Sequence, residues 1–332
     1  MSSRLKVLIQ YIVIFAITFL LIWFSLQGLQ GENKWDYLKQ TWQSAHKGWL
    51  LAMAGIAMIS HVLRAERWRM LMVPSGHHTK LSYSFYSLMV GYLINLVIPR
   101  GGEVSRCYNL YKLDKTPVDL SFGTVVVERI VDMLCLLILI AISFAVESEK
   151  LFQFIDTLPI GKPGDSLRIN LLLFAGIGVL LVAIALFFIL RSNQKLRAFV
   201  AKTWQGFKQG LSSVFRLENK GLFILYSVLI WLLYFMMSFT VLKAFPSTSS
   251  LGFSAVLSLF AIGSIAMAAP LPGGTGSYHV LVPQGLVFLY SVPKSEAVAF
   301  TFIFHGWQTA IMIVCGAISL LITSYIVRKK AS

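Results

Sequence analysis

Charged residues are scarce in this sequence. Asp, Glu, Lys and Arg make up 13% of its 332 residues, whereas hydrophobic residues make up 57%. Because a soluble globular domain carries about 25% charged residues, the composition excludes such a domain and predicts a polytopic membrane protein. About six to nine spans of ~20 residues, joined by short loops, fill this length. We therefore expect one integral membrane domain over residues 1–332, without a separate soluble catalytic domain.

Acidic residues are the scarcer of the two charge types. The chain has 14 Asp and Glu against 29 Lys and Arg, which gives a net charge of +15. A nucleic-acid site would interleave basic residues with exposed aromatics in a folded domain, but here the basic residues lie between apolar runs. Positive charge in cytoplasmic loops fixes the orientation of membrane helices, and some of it can hold anionic lipid headgroups. No nucleic-acid partner is expected.

Cysteines and catalytic motifs are also few. The three cysteines form no Cys-x-x-Cys pair, and the six histidines are scattered along the chain. Metal and redox sites need closely spaced ligands, and the sequence contains neither a nucleotide-phosphate loop nor an Asp-x-Asp motif. We expect no metal, no cofactor and no enzyme activity.

Long apolar runs predict six full transmembrane helices. The runs cover residues 7–26, 48–63, 119–146, 169–190, 221–242 and 299–327. Basic residues precede the first run and follow the last, so both termini should be cytoplasmic. Arg64, Arg67 and Arg69 after the second run fit a basic cluster at another cytoplasmic end. The expected location is the plasma membrane, which in a bacterium is the inner membrane.

Residues 95–132 place charge between two apolar stretches, and Pro99, Gly101 and Gly102 predict a sharp turn there. If residues 81–98 crossed the membrane completely, the loop 191–220 would lie outside with seven basic residues against one acid. That arrangement would invert the positive-inside rule. A re-entrant hairpin, which enters from the cytoplasm and leaves again, satisfies the charge count.

A second apolar segment is also interrupted by proline and glycine. Residues 251–269 and 280–292 are apolar, and residues 270–279 between them read PLPGGTGSYH. Two Gly/Pro-interrupted apolar segments in corresponding halves of a chain indicate an inverted repeat with its binding site between them. The predicted fold is therefore all-α, with about six full transmembrane helices and two oppositely oriented re-entrant hairpins.

These motifs carry a resemblance to a known family. The matching patterns are Asn95-x3-Pro99-Arg100-Gly101-Gly102-Glu103-x2-Arg106, Glu128-Arg129-x2-Asp132 and Pro270-x-Pro272-Gly273-Gly274-x-Gly276. The chain resembles the flippase-like membrane domain of the lysylphosphatidylglycerol synthases over nearly its whole length. In those synthases a soluble domain makes an aminoacylated lipid and the membrane domain moves it across the bilayer. The resemblance implies translocation of a phospholipid or a polyprenyl-linked lipid such as a polyprenyl phosphate, without its synthesis. The alternative is a non-catalytic membrane partner of a separately encoded lipid- or glycan-modifying enzyme.

The candidate substrate-binding residues are Asn95, Arg100, Glu103, Arg106, Glu128, Arg129, Asp132, Gly273, Gly274, Gly276, Ser277 and His279. A charge at the bilayer centre costs about 2.5–3.5 kcal/mol, so such groups are paired, face a wet cavity or have a function. Glu128 and Asp132 are four residues apart and share a helix face, where like charges repel. A cation from Arg100, Arg106 or Arg129 should therefore lie between them.

Two interpretations of these charges stay open. In the structural one, a closed ion cluster pins the first hairpin to the following helix. In the functional one, Arg100 or Arg106 exchanges an internal carboxylate for a lipid phosphate, because guanidinium binds both. Similarly, residues 270–276 can form a backbone anion nest with His279 near the phosphate, or only a tight turn that lets helices pack closely.

The loop at residues 191–220, which is rich in basic residues, gives a direct test of the topology. A Lys208→Cys variant should react with a membrane-impermeant thiol reagent only from the cytoplasmic side, because residues 191–220 carry the basic excess. Cysteines placed in the loop 147–168 should react only from outside. External labelling at position 208 would overturn the re-entrant hairpin as well.

Overall fold

The computed structural model describes residues 3–29, 33–157, 204–205, 208, 212–268 and 271–331. Within these residues all regular structure is helical, which confirms the all-α prediction. The α-helices are α1 (Ser3–Leu26), α2 (Lys34–Ser44), α3 (Lys47–Met72), α4 (Leu81–Asn95), α5 (Gly101–Asp114), α6 (Val118–Thr157), α7 (Lys220–Ala244), α8 (Phe253–Ala268), α9 (Ser277–Tyr290) and α10 (Lys294–Ala331). Short 3-10 turns lie at Val73–Ser75, Ser213–Arg216 and Pro272–Gly274.

Three helical stretches in the described part of the chain are long and apolar enough to cross a membrane, judged by length and composition. They are Lys47–Ser75, Lys220–Ala244 and Lys294–Lys330, which correspond to α3, α7 and α10. Shorter apolar stretches occur in α1 (Tyr11–Leu26) and α8 (Phe253–Met267). The predicted span at residues 169–190 lies outside the described residues.

Helices α3 and α7 pack side by side in opposite directions. The backbone N–H of His46, just before α3, donates to the carbonyl oxygen of Ala244 at the end of α7, at 2.7 Å. Further along α3, Arg67 Nη1 donates to Ser227 Oγ near the start of α7, at 3.2 Å. Buried apolar side chains from both helices, including Met53 and Val241, belong to the largest hydrophobic core.

The first hairpin consists of α4 and α5, joined by the turn at residues 96–100. Helices of 15 and 14 residues are about 22 Å long, which is shorter than the ~30 Å hydrocarbon core. At its open end, the Asp114 carboxylate accepts hydrogen bonds from the hydroxyls of Thr79 and Thr116. At its closed end the helices approach so closely that a Cβ on Gly102 would lie 2.2 Å from the carbonyl oxygen of Gly91.

The second hairpin consists of α8 and α9, joined through a turn rich in glycine. Gly273, Gly274 and Gly276 have φ angles of +57°, +71° and +100°, a region that only glycine adopts readily. Position 274 is also crowded, because a Cβ there would lie 2.1 Å from the sulfur of Met267. These conformations explain why the sequence needs glycine at this turn.

The two hairpins open towards opposite ends of α10 and meet at their turns. Helix α10 begins at Lys294, next to the open end of the second hairpin. It ends beside the open end of the first, where Lys330 Nζ donates to the carbonyl oxygen of Leu113 at 2.6 Å. Between these ends, a Cβ on Gly273 would lie 3.0 Å from Leu96 Cδ2, so the two turns are in contact.

Two helix boundaries differ from the sequence prediction. Helix α3 continues to Met72 instead of ending near Leu63, because Arg64 and Arg67 are neutralised inside the protein. Helix α6 continues to Thr157, so the predicted external loop begins as helix. Only Glu147 within α6 is non-helical, with φ −134° and ψ 43°, which divides the helix into two parts.

The contact between α4 and α5 predicts a matched pair of glycine variants. Gly102→Ala should lower the free energy of unfolding by about 1–3 kcal/mol, the usual cost of overpacking, because backbone atoms of α4 must move away. Gly55→Ala on α3 should be neutral or slightly stabilising, since a Cβ there meets nothing within 4 Å and alanine favours helix. Thermal unfolding of both purified variants would check this. A Gly102→Ala protein as stable as Gly55→Ala would contradict the close packing of the hairpin.

Candidate functional site

A buried cluster of five charged side chains joins α3, α5 and α6. It contains Arg64 and Arg67 from α3, Arg106 from α5, and Glu128 and Asp132 from α6. Their side chains are at most 13% exposed. Three helices that are distant in sequence therefore contribute to one ion network.

Each carboxylate has more than one guanidinium neighbour. Glu128 Oε2 lies 2.6 Å from Arg106 Nη2, and Glu128 Oε1 lies 3.5 Å from Arg67 Nη2. Asp132 accepts hydrogen bonds from Arg67 Nη2 at 2.7 Å and from Arg64 Nη2 at 2.8 Å. Arg67 therefore lies between the two acids and offsets the repulsion expected from their spacing on α6.

The prediction that Arg100, Arg106 or Arg129 lies between these acids is wrong in its choice of residue: Arg106 contacts only Glu128, and Arg67 lies between the two. The sequence analysis placed Arg64 and Arg67 in a basic cluster at a helix end, but they are buried, at 5% and 0% exposed. Arg69 agrees better with a basic cluster at a helix end, because its side chain is 39% exposed and pairs with Glu66 on the same helix. One sequence feature could have predicted that both arginines join the cluster: they are three residues apart and therefore share one face of α3.

Neutral side chains hold the arginines in place. Arg64 Nη1 donates to the hydroxyl of Tyr234 at 2.9 Å. The guanidinium carbon of Arg106 lies 4.7 Å from the centre of the Trp68 ring, within cation–π range. Trp68 Nε1 in turn donates to Thr124 Oγ1 on α6 at 2.9 Å.

The cluster carries one positive charge in excess, because three guanidinium groups face two carboxylates. Nε and Nη1 of Arg106 are buried and have no hydrogen-bond partner among the described residues. Buried polar groups are usually paired, so each exception needs an explanation. Within the cluster, Nε of Arg64, Nε of Arg67 and Oε1 of Glu128 also lack a partner in the described part of the chain. Arg106 differs from these residues because it lines a cleft.

This cleft lies between α4, α5 and α6 and has a volume of ≈ 10 Å³, enough for about one water molecule. It is lined by Leu88, Gly91, Tyr92, Asn95, Gly102, Glu103, Arg106 and Arg129. Glu103 Oε1 is 3.3 Å from Arg129 Nη2, whereas Glu103 Oε2 is buried and finds no partner in the described part of the chain. Asn95 Oδ1 accepts the backbone N–H of Gly102 at 2.7 Å, so it also caps the start of α5.

Arg100 is exposed in the turn before α5 and adopts φ +60°, which is uncommon for a residue other than glycine. Of the three arginines proposed as partners of Glu128 and Asp132, Arg106 makes an ion pair with Glu128.

Residues of the second turn bind mainly to the turn itself. His279 Nδ1 accepts the backbone N–H of Gly276 at 3.3 Å, and His305 Nε2 is 3.0 Å from the carbonyl oxygen of Gly273. Ser277 Oγ donates to the carbonyl oxygen of Ala266 at 2.7 Å. These contacts favour the tight-turn interpretation of residues 271–276. His279 also lines a separate cleft of ≈ 380 Å³.

No three His, Cys, Asp or Glu side chains in the described residues come together in a way that could hold a metal ion. The guanidinium groups of the ion cluster are suited to the recognition of an anion.

Comparison with known proteins identifies the family. The lysylphosphatidylglycerol synthase TM region matches residues 8–316, which include the ion cluster and both hairpins. The chain belongs to this family. Since the family describes a transmembrane region, the chain is a membrane protein, as its composition predicted.

Two curated relatives show similarity over different lengths. A UPF0104 membrane protein of Methanocaldococcus jannaschii is 34% identical over 80 residues, which cover 23% of this chain and 24% of the relative. The glycosyltransferase AglD of Haloferax volcanii is 25% identical over 301 residues, which cover 81% of this chain and 48% of the relative. The chain thus spans less than half the length of either relative. No solved structure matches it.

Double-mutant analysis should reveal strong coupling between Arg106 and Glu128. Arg106→Ala removes the hydrogen-bond donor of Glu128, and Glu128→Gln leaves three guanidinium groups around one carboxylate. Each change should cost about 3–5 kcal/mol, the usual penalty for an orphaned buried charge. The double variant should lose less stability than the sum of the two, measured by thermal unfolding in detergent. Additive losses would mean that the two groups do not interact.

Proposed function

We propose that this protein moves a phospholipid or polyprenyl-linked lipid between the leaflets of the cell membrane, through a polar groove between the two hairpins. The observation that carries the proposal is the excess positive charge of the ion cluster, with unpaired Arg106 nitrogens at the cleft. A lipid phosphate supplies the anion that this charge lacks.

Arg106 and Arg129 are suited to bind such a phosphate together. Both line the cleft, and guanidinium groups form strong charge-assisted hydrogen bonds with phosphate oxygens. Arg106 keeps its bond to Glu128 through Nη2, which leaves Nη1 available for the ligand. Without a ligand, Glu103 neutralises Arg129. A phosphate is larger than the cleft, so in this proposal it displaces the Glu103 carboxylate from Arg129.

The arrangement of the hairpins supports movement between leaflets. They open in opposite directions and touch at Leu96 and Gly273. Non-helical backbone at membrane depth is tolerated where it is buried or lines a wet cavity. In this proposal both hairpins are re-entrant halves of an inverted repeat, and residues 1–332 form one non-enzymatic membrane domain with cytoplasmic termini in the plasma membrane.

A second function is favoured by the relative from Haloferax volcanii. That protein is named a glycosyltransferase, and the matched region covers about half of it. By analogy, this chain would be the non-catalytic membrane partner of a separately encoded lipid- or glycan-modifying enzyme. Co-purification of a stoichiometric enzyme, with no lipid movement by the purified protein, would favour this alternative.

Arg106→Lys tests the phosphate site without removing its charge. Lysine retains one contact to Glu128 but loses the planar group that reaches the cleft. The rate of lipid movement in proteoliposomes should fall about 10- to 100-fold, which corresponds to a loss of ~1–3 kcal/mol. Fluorescent phospholipids and a labelled polyprenyl phosphate would serve as substrates, and the melting temperature should stay near that of the unmodified protein.

The matched control is Arg69→Lys, at an ion pair with Glu66 on the surface part of α3. It should leave lipid movement unchanged, because Arg69 does not line the cleft. The proposal is wrong if the unmodified protein moves none of these lipids, or if Arg106→Lys moves them at the unmodified rate.

A further inference from the structure

A second cleft lies between α1, α9 and α10, away from the ion cluster. Its volume of ≈ 380 Å³ falls within the range of about 300–1,000 Å³ that is usual for small-molecule sites. Its inner end lies at His279, next to the second turn, and its outer end lies at Lys294, where α10 begins. The phosphate site proposed above does not use this cleft.

One wall of the second cleft is an apolar stripe on α9. Val280, Pro283 and Val287 line the cleft and are spaced three and four residues apart, so they share one helix face over about 10 Å. At its edge, the rings of Phe24 on α1 and Phe288 on α9 are 60% and 44% exposed. The cleft is therefore open at the two rings, where an apolar chain can enter it from the lipid.

The polar groups at the inner end of the second cleft already have partners. Pro283 has no N–H for the carbonyl oxygen of His279, four residues earlier in α9. The hydroxyl of Ser25 on α1 donates to that oxygen instead, at 2.5 Å. On the imidazole of His279, Nδ1 accepts the backbone N–H of Gly276. These groups do not require a polar ligand.

The outer end of the second cleft is basic. Lys294 is exposed and makes no hydrogen bond or ion pair with another residue that the structure describes. A Cβ on Gly28 would lie 3.1 Å from Cε of Lys294, so the glycine leaves room for this side chain at the end of α1. Lys34 Nζ donates to Gln27 Oε1 at 2.8 Å, which leaves the amide N–H groups of Gln27 as donors at the cleft.

The described acids nearest in sequence do not neutralise this end. Glu296 follows Lys294 by two residues, and residues two apart do not face each other on a helix. Asp36 accepts a hydrogen bond from Asn33 Nδ2 at 2.7 Å, and neither acid lines the cleft. The outer end therefore offers positive charge to a ligand.

We propose that the second cleft binds an anionic membrane lipid, with the lipid phosphate at Lys294 and one of its chains along the stripe on α9. Such a lipid satisfies both ends of the cleft, because its chain covers apolar surface and its phosphate pairs with the ammonium group. A free phosphate ion would leave the stripe uncovered. The inference concerns binding at a separate site and does not rest on the proposed function.

A fluorophore inside the cleft measures this binding directly. It is attached to Val287→Cys in a protein whose three native cysteines are replaced by alanine. The labelled protein is placed in phosphatidylcholine nanodiscs, and phosphatidylglycerol or phosphatidylcholine with a spin-labelled chain is added in equal amounts. The spin label quenches the fluorophore at short range. Lipid that only surrounds the protein quenches equally with either headgroup, so the difference between the two lipids measures the site.

Phosphatidylglycerol should quench with an apparent affinity about five-fold above that of phosphatidylcholine, the effect expected from one lysine near anionic lipid. Lys294→Gln should make the two lipids equal. Lys47→Gln is the matched control, because it removes the same charge from an exposed position at the start of α3, outside the cleft. It should retain the preference, and both variants should keep the melting temperature of the labelled protein.

A third variant tests the position of the chain. Gln284 is exposed and lines the cleft between the ends of the stripe, so Gln284→Trp fills the space with little effect on packing inside the protein. The excess quenching by phosphatidylglycerol should disappear in this variant.

The proposal is wrong if both lipids quench the unmodified residue 294 protein equally, or if Lys294→Gln or Gln284→Trp retains the preference. Inorganic phosphate, compared with chloride at the same ionic strength, should not reduce the preference. Competition by inorganic phosphate would mean that the outer end binds the free ion, and the lipid assignment would fail. Because binding is measured at equilibrium, lipid movement without this preference refutes the cleft site alone, and a preference without lipid movement refutes the proposed function alone.

Discussion

The ion pairs that neutralise Glu128 and Asp132 determine which helices must pack together. Removing an ion from water costs several kcal/mol even after relaxation, and a partner at hydrogen-bond distance is needed to offset that cost. Asp132 is neutralised by Arg64 and Arg67 on α3, whereas Glu128 has its shortest ion pair with Arg106 on α5. Neutralising both acids on α6 therefore requires all three helices to meet. The first hairpin is thereby held against α6, and the rest of the bundle packs around this contact.

Stability alone does not account for the composition of the cluster. Hydrophobic residues of similar volume can replace a buried ion network without loss of stability, and a network built only for packing would balance its charges. This one keeps a third guanidinium group and leaves two nitrogens of Arg106 without a partner among the described residues. The imbalance therefore favours the functional interpretation, in which a ligand brings the missing negative charge. The structural interpretation is also partly correct, since Arg106 and Glu128 do pin the first hairpin to α6.

Features that depend on neighbouring residues could be predicted from the sequence. Proline and glycine act locally, so both hairpin turns were found at residues 96–100 and 271–276. Arg64 and Arg67 were misjudged because their partner, Asp132, is more than 60 residues away and arginine usually marks a helix end. The contacts of Glu147 could not be predicted for a similar reason, since its hydrogen bonds to Ser258 and Tyr290 join residues over 100 positions apart.

Helix α6 connects the two polar sites mechanically. Glu128 and Glu147 are separated by 19 residues of sequence, which is about 28 Å of helix and close to the ~30 Å thickness of the hydrocarbon core. Backbone contacts at Gly91 and Gly102 leave no space inside the first hairpin, so its two helices pack as a unit. The lipid movement proposed above therefore requires motion between packed helices and at the break in α6. A helix that holds the ion cluster at one end and the second hairpin at the other can transmit such a motion.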